Sequence, residues 1–151
     1  MTQKKVSDSY TEQVQILTQA NLNGFNRLFG GQLMEWIDIV AAVVARRHSE
    51  RNVTTVMVEK LEFKKAAHAN DTVVLTGHIV YTGKTSMEVC VNTYVEELNG
   101  EKCLINKAYL VMVALDEHER PTEVPRLIVE TDEEKEEWEQ AEKRRELRKK
   151  Q

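Results

Sequence analysis

Asn23 and Asp38 are the residues whose types and spacing point most directly to chemistry. Asn23 lies eight residues before Gly31, and Asp38 lies seven residues after it. A carboxylate can accept a proton or attack an electrophilic carbon, and a side-chain amide can orient a water molecule. Backbone N–H groups at a helix start have no intrahelical partner and can be offered to a ligand oxygen. Together these features make a sharper pattern than any one of them, since each alone has a plainer interpretation as a turn or an interface residue.

The spacing of the apolar residues predicts a helix from Gly31 to Arg47 that carries Asp38. Apolar positions recur there at three- and four-residue intervals, as on a buried helix face. This buried stripe consists of Leu33, Ile37, Val40 and Val44. At about 100° per residue, Asp38 falls on a second face. Its neighbours on that face are Met34, Ala41, Ala42 and Ala45. We expect another chain or a slim ligand to approach the carboxylate there.

Five stretches of alternating or β-rich residues predict an antiparallel sheet. They are Tyr10–Thr18, Thr54–Phe63, Thr72–Val80, Ser86–Leu98 and Cys103–Leu115. Asn99–Gly100 predicts a two-residue hairpin turn. Lys60–Leu61 predicts an irregularity, either a bulge or a shift of face. Residues 1–9 are expected to form a ragged terminus. The fifth stretch is expected to be the last strand, because Pro121 and Pro125 end regular pairing.

The chain changes character at Thr131, where a run of acids is followed by a run of bases. That order suits both ends of a helix dipole, and Thr131 with Glu134 has the spacing of a capping box. We predict a solvated surface helix whose Trp138 packs on the body. The fold class is therefore α+β, with an antiparallel sheet wrapped around one long central helix. We place the globular domain at residues 1–130 and a charged helical tail at 131–151.

Length and composition are typical of one globular domain. The chain has 151 residues, of which 41% are hydrophobic and 30% charged, and its net charge is −4. This balance gives no global basic field for nucleic acid or a membrane surface. No apolar run approaches the roughly 18 residues that span a bilayer, and the polar start is unlike a signal peptide. We therefore expect a cytoplasmic protein with no nucleic-acid or membrane partner.

Cysteine and histidine positions give no indication of a metal site. Cys90 and Cys103 lack the spacing of a metal or redox motif, so we expect free thiols in a reducing cytoplasm. No His, Cys and Asp cluster has metal-ligand spacing. The prediction is a site without metal. His68, His78 and His118 are scattered along the chain and receive no role.

The stretch NGFNRLFGGQLMEWID, from Asn23 to Asp38, resembles the signature of the hotdog-fold acyl-CoA thioesterases, specifically the cytosolic acyl-CoA hydrolase group. The resemblance continues through LEFKKAA, TGKTSMEV and VPRLIVETDEEK, and so covers nearly the whole chain. Two positions depart from the family pattern. Asn26 replaces the usual glycine, and Asn21–Leu22 replaces a common Asp-Thr. Because Asn tolerates positive φ better than most residues, we expect Asn26 to keep the turn.

The resemblance implies a hotdog fold and the hydrolysis of acyl-CoA to a free fatty acid and coenzyme A. It also implies at least a homodimer whose two sheets join edge to edge, with a trimer of dimers left open. Asp38 of one subunit then acts as general base, or as nucleophile through an anhydride. Asn23 of the other subunit orients the water or the thioester, and the Gly31 amide polarises the carbonyl. No cofactor is implied, because coenzyme A is part of substrate and product.

Two segments are implied to lie along the coenzyme A, namely the one after the second strand and the loop before TSMEV. Coenzyme A carries phosphates, which call for cationic or amide contacts. The predicted substrate-binding residues are Gly30, Gly31, Phe63, Lys64, Gly83, Lys84, Thr85 and Ser86.

Two other functions occur on the same fold. A hotdog hydratase or dehydratase needs a catalytic His near the start of the central helix, whereas this chain has no His before His48. A non-catalytic acyl-CoA-binding regulator needs an appended effector domain, and we expect none here. Hydrolysis is therefore the favoured prediction.

Overall fold

A central helix, α1 (Gly30–Ser49), forms the core of the molecule, for which the computed structural model describes residues 3–150. The predicted stripe is buried, and each of its four side chains is at most 2% exposed. Ala41 and Ala45, predicted on the second face, are also fully buried inside the chain. The expectation that these two alanines belong to a face open to another chain or a ligand is therefore wrong, because the sheet wraps far enough around α1 to cover them. Asp38 and Ala42 are partly exposed beside them.

Five strands form the antiparallel sheet that wraps α1. They are β2 (Thr11–Ile16), β3 (Asn52–Phe63), β4 (Thr72–Thr82), β5 (Ser86–Glu96) and β6 (Lys102–Leu115). Their spatial order is β2-β4-β5-β6-β3, so β2 and β3 are the edges. The inward residues of β4, β5 and β6 close on the apolar stripe of α1 in one core. The predicted α+β architecture is confirmed.

A second, two-stranded sheet joins the N-terminal segment to the segment that precedes the C-terminal helix, so the prediction of a ragged terminus is wrong for the described residues. Strand β1 (Gln3–Lys5) pairs in parallel with β7 (Arg126–Ile128). A short 3-10 turn follows β1 and buries Val6. The strand after the two prolines was also missed, so β6 is not the last strand. Neither segment carries a local signal, because each is three residues long and its partner lies far along the chain. Residues 1 and 2 of the predicted terminus lie outside the described residues.

The predicted β5–β6 hairpin exists, but its turn is wider than two residues. The Glu97 amide donates to the Glu101 carbonyl at 2.7 Å, and the Gly100 amide donates to the Glu97 carbonyl at 2.8 Å. Gly100 has φ +90°, whereas Asn99 has no positive φ. A two-residue Asn-Gly turn needs positive φ at both residues, so a wider loop with Gly100 in the glycine position forms instead. In β3, Lys60 has φ +51° at a register shift, which identifies the predicted irregularity as a bulge.

The C-terminal helix, α2 (Asp132–Lys149), packs on the outer face of the sheet. The Glu134 amide donates to Thr131 Oγ1 at 3.0 Å, as the capping box predicts. The Glu134 carboxylate accepts from the amide of Glu130 rather than from that of Thr131. Trp138 packs against Tyr81 with 4.2 Å between ring centroids. The division at residue 130 into a domain and a tail stays a prediction.

Two further features bear on the sequence predictions. Cys90 and Cys103 are free thiols, as predicted. Neither of the two described α-helices is long and apolar enough to cross a membrane.

Candidate active site

Asn23 organises the loop that leads into α1. Its side-chain oxygen accepts from the amides of Phe25 at 2.9 Å and Arg27 at 3.2 Å. The carbonyl of Asn23 accepts from the amide of Asn26, which has φ +59°. Asn26 therefore keeps the positive-φ turn that was predicted for it. No hydrogen bond from the Asn23 side-chain NH₂ occurs within residues 3–150, so this donor is free to meet a ligand or another chain.

A cleft of about 280 Å³ opens beside Asn23, and we call it the Asn23 cleft. Its lining comprises Asn23, Arg27, Leu28, Leu33, Phe63, Lys64, Lys65, Ala66, Ala67 and Ile105. Backbone hydrogen bonds from Leu28 to Ala67 and from Lys64 to Ile105, both 2.8 Å, hold its walls together. The structure thus brings the predicted residues Phe63 and Lys64 to Asn23. Its lining combines apolar side chains with three cationic ones, and such a cleft can accept an anionic ligand with an apolar portion.

Asp38 lies on α1 and is oriented by a residue that the sequence analysis missed. Thr55 Oγ1 on β3 donates a 2.6 Å hydrogen bond to Asp38 Oδ1. The second carboxylate oxygen, Oδ2, has no hydrogen-bond partner among the described residues. A carboxylate with one oxygen held and the other free is arranged to accept a proton or to attack a carbon. The sequence Thr54–Thr55 did not predict this role, because the role depends on where β3 lies relative to α1.

Asp38 is not among the residues that line the Asn23 cleft. Gly30 and Gly31 begin α1 at the mouth of the loop, as predicted. Phe29 is the N-cap residue, and its side chain makes no cap hydrogen bond. The first-turn amides are therefore left without a side-chain cap and can be offered to a ligand oxygen.

The second predicted binding segment lies at the β4–β5 loop, away from the Asn23 cleft. Gly83 donates its amide to the Ser86 carbonyl at 2.9 Å, and Thr85 accepts from the amide of Ala114 at 3.1 Å. Gly83 is buried, whereas Lys84 is exposed. Gly83 and Lys84 line a cleft of their own next to α2. Within one chain, the predicted substrate-binding residues therefore occupy separate places.

A cluster of His78, Cys90 and Glu137 was not foreseen. His78 Nε2 lies 2.8 and 2.9 Å from the two carboxylate oxygens of Glu137. The ligand atoms of all three residues lie within 4.8 Å of one another. Burial raises the pKa of Cys90 to about 12, so the thiol stays protonated at neutral pH. Lys107 and Arg144 lower the pKa of this thiol and Glu137 raises it, so two cations accompany the one acid beside the thiol. We interpret the cluster as a contact that fixes α2 on the sheet.

The comparisons with known proteins agree with the geometry. Residues 25–101 match the model of the family described as "Thioesterase superfamily". An uncharacterized acyl-CoA thioester hydrolase of Bacillus subtilis, YkhA, is 40% identical over 74% of this chain and 66% of its own length.

Solved structures resemble this fold over nearly the whole chain. An apo-hexameric acyl-CoA thioesterase superposes with a TM-score of 0.95 at 36% identity, covering 99% of this chain and 97% of its own. An acyl-CoA hydrolase of Staphylococcus aureus, solved in complex with butyryl coenzyme A, coenzyme A and coenzyme A disulfide, superposes with a TM-score of 0.92 at 32% identity. The match covers 97% of this chain and 90% of the hydrolase. The prediction of a hotdog fold is confirmed. Because the family model matches about half of the chain and the solved structures superpose over nearly all of it, this chain belongs to the thioesterase superfamily.

Proposed function

We propose that this protein hydrolyses the thioester of acyl-CoA to a free fatty acid and coenzyme A. The observation that carries the proposal is the Asp38 carboxylate, which Thr55 holds at 2.6 Å on a partly exposed face of α1. The relatives in B. subtilis and S. aureus bear the names of acyl-CoA hydrolases. The alternative of a hydratase is not supported, because His48 lies at the C-terminal end of α1. It is buried against the Pro125 carbonyl at 2.8 Å, and burial lowers the pKa of His48.

Asp38 supplies the basic or nucleophilic oxygen of the reaction. As general base, it accepts a proton from water while the water oxygen adds to the thioester carbon; the C–S bond then breaks and the coenzyme A sulfur is released as thiol. As nucleophile, its oxygen displaces the thiolate to give an anhydride, which water then hydrolyses. In either route, the amide of Gly31 at the start of α1 donates toward the carbonyl oxygen where negative charge develops.

Asn23 contributes its free NH₂ group, which orients the water or the thioester. In the proposed assembly it comes from the partner subunit, in keeping with the separation of the Asn23 cleft from Asp38 within one chain. The solved structures of the S. aureus hydrolase include alanine variants of one asparagine, one aspartate and one threonine. These are the residue types that we assign here to the same reaction. The cations of the Asn23 cleft, namely Arg27, Lys64 and Lys65, and the β4–β5 loop bind coenzyme A in this proposal.

A homodimer is the minimum assembly that this proposal needs. Edge strand β3 carries exposed apolar side chains, among them Val56 and Phe63, each 58% exposed. An uncovered edge strand of this kind is suited to pair with a second chain. A trimer of dimers is a further option, since one structural relative is hexameric.

A thiol-release assay over acyl-CoAs from acetyl to palmitoyl tests the proposal. We expect free thiol from at least one member, and we expect a chelator to leave the rate unchanged. The matched variant is Asp38→Asn, which keeps the shape but removes the charge and basicity. It should lower kcat by at least about 10²-fold, with the assembly intact by light scattering. No thiol from any acyl-CoA, or full turnover by Asp38→Asn, would contradict the proposal.

A further inference from the structure

Two buried polar side chains, Thr93 on β5 and Asn106 on β6, have no hydrogen-bond partner within residues 3–150. Both residues are fully buried, and the unpaired atoms are Thr93 Oγ1 and the two amide atoms of Asn106, Oδ1 and Nδ2. Buried polar atoms without a partner are rare, because each one loses its contacts with water and gains nothing in return. Three such atoms on two neighbouring residues therefore need a physical reason.

The two side chains face each other on the inner side of the sheet. Thr93 is the register partner of Asn106, and the Cβ atoms of directly opposed residues lie about 5 Å apart. Thr93 follows Val91 by two positions, Asn106 precedes Ala108 by two, and both of those neighbours belong to the core around α1. Side chains alternate along a strand, so Thr93 and Asn106 point to the same side as this core. A group that enters between them meets both residues.

The Asn23 cleft lies next to this pair. Phe63 is the register partner of Asn106 on β3, Ile105 precedes Asn106 on β6, and both Phe63 and Ile105 line the cleft. Phe63 is the last residue of β3 and is 58% exposed. Its ring can therefore turn aside without disturbing the core of its own chain. The pair thus lies directly behind two wall residues of the cleft, one of which is free to move.

The hydrogen-bonding groups of the pair match a hydroxyl group. The Thr93 hydroxyl donates and accepts, and the Asn106 amide offers NH₂ donors and a carbonyl acceptor. A ligand hydroxyl also donates and accepts, so it can bond to both residues. An ionised group is disfavoured, because a buried anion needs a cation beside it. Within residues 3–150 the buried acid and bases lie elsewhere, with Glu88 and Arg144 beneath α2 and His48 at the C-terminal end of α1.

We infer that Thr93 and Asn106 form an inner subsite of the Asn23 cleft that binds a hydroxyl group on the acyl chain, which makes hydroxyacyl-CoAs the preferred substrates. This inference rests on the proposed function, in which Asn23 meets the thioester. The acyl chain then leads from Asn23 along the apolar wall of the cleft, past Leu33 and Phe63. An unsubstituted chain brings only methylene groups to the three polar atoms, whereas a hydroxyl group supplies them with partners.

The test compares octanoyl-CoA with 3-hydroxyoctanoyl-CoA, 5-hydroxyoctanoyl-CoA and 8-hydroxyoctanoyl-CoA in the thiol-release assay. At least one hydroxylated thioester should have a kcat/KM about tenfold above that of octanoyl-CoA, because octanoyl-CoA cannot form the additional hydrogen bonds. The double variant Thr93→Val with Asn106→Leu nearly keeps the shape and removes the polar atoms. It should bring this ratio to about one.

Thr82→Val is the matched control for the threonine change. Thr82 is also buried with an unpaired Oγ1 within residues 3–150. Its register partner on β5 is Met87, which lies at the opposite end of that strand from Thr93. Thr82→Val should therefore leave the preference for the hydroxylated thioester intact. Should the double variant misfold, Thr93→Val alone makes the same comparison and should lower the ratio.

Several results would overturn the inference. They are a wild type without preference for any hydroxylated thioester, a preference that survives in the double variant, and an equal loss of preference in Thr82→Val. A double variant with a lower unfolding midpoint and an unchanged ratio would show that the pair serves stability alone. A wild type that hydrolyses none of these thioesters refutes the proposed function, while calorimetric binding of the same thioesters still tests the subsite. Tighter binding of a hydroxylated thioester, lost in the double variant, would then support it.

Discussion

At the scale of single residues, the hydrogen bond from Thr55 to Asp38 sets the geometry of the candidate base. A carboxylate on a helix can rotate about its side-chain bonds, and each rotation changes where its free oxygen points. The 2.6 Å bond from Thr55 fixes Oδ1 and thereby positions Oδ2. Thr55 is a positioning residue in this scheme, since it acts through Asp38.

Thr55→Val should lower kcat about tenfold while KM changes little, because the hydroxyl is lost and the shape is nearly kept. Thr55→Ser retains the hydroxyl and should restore most of the rate in the same thiol-release assay. The matched control is Thr54→Val, an identical chemical change at the adjacent exposed position of β3. If Thr55→Val and Thr54→Val turned over equally fast, the positioning role would be refuted.

Asn23 and Asp38 could be proposed from the sequence because their spacing around the glycines is local, and their roles stay a prediction. Thr55 was not, since its role depends on where β3 lies relative to α1, and no pattern within β3 encodes that. The positive φ of Asn26 was also predictable, because it follows from the tolerance of asparagine for the left-handed region. The sequence therefore allowed predictions about residues within one segment, whereas it did not predict a contact between two segments that are distant in the chain.

At the scale of elements, α2 is more than the solvated helix that its composition indicates. Glu88 on β5 is 2% exposed and pairs with Arg144 and Arg148 of α2. Arg144 also lies over the Tyr109 ring, with its guanidinium carbon 3.8 Å from the centroid. A strand that alternates apolar and polar residues does not reveal whether a helix covers its outer face. The ion pair was therefore invisible in the sequence, whereas the helix and its cap were predictable.

Arg144→Met should lower the free energy of unfolding by about 3 kcal/mol, because it removes the closest partner of a buried carboxylate. Denaturant unfolding at fixed protein concentration measures this loss. Adding Glu88→Gln should recover part of the stability, since the unpaired charge is then gone. Lys143→Met on the exposed side of α2 serves as control and should change stability by less than about 0.5 kcal/mol. Equal effects at positions 143 and 144 would argue against a buried pair.

At the scale of the whole molecule, we expect a second chain to complete the candidate site. Thr55 lies on edge strand β3 and holds Asp38 beside it. The apolar side chains Met57 and Val58 of the same strand are 42% and 40% exposed. The Asn23 NH₂ has no partner among residues 3–150. Covering β3 with a second copy would bury the apolar edge and bring another Asn23 loop to Asp38. Homo-oligomers close most often around two-fold axes, which makes the dimer the expected unit.

Mixing two inactive variants tests this shared site. Asp38→Asn removes the base, and Asn23→Asp removes the NH₂ donor but keeps the oxygen that accepts from Phe25 and Arg27. In a mixed dimer with shared sites, one site carries both lesions, and the other pairs an intact Asn23 with an intact Asp38. Random exchange at equal concentrations should therefore restore about a quarter of the wild-type activity. If both residues acted within one chain, every site would keep one lesion. Mixed dimers verified by differential tagging and mass spectrometry would then stay inactive, which would rule out the two-chain site.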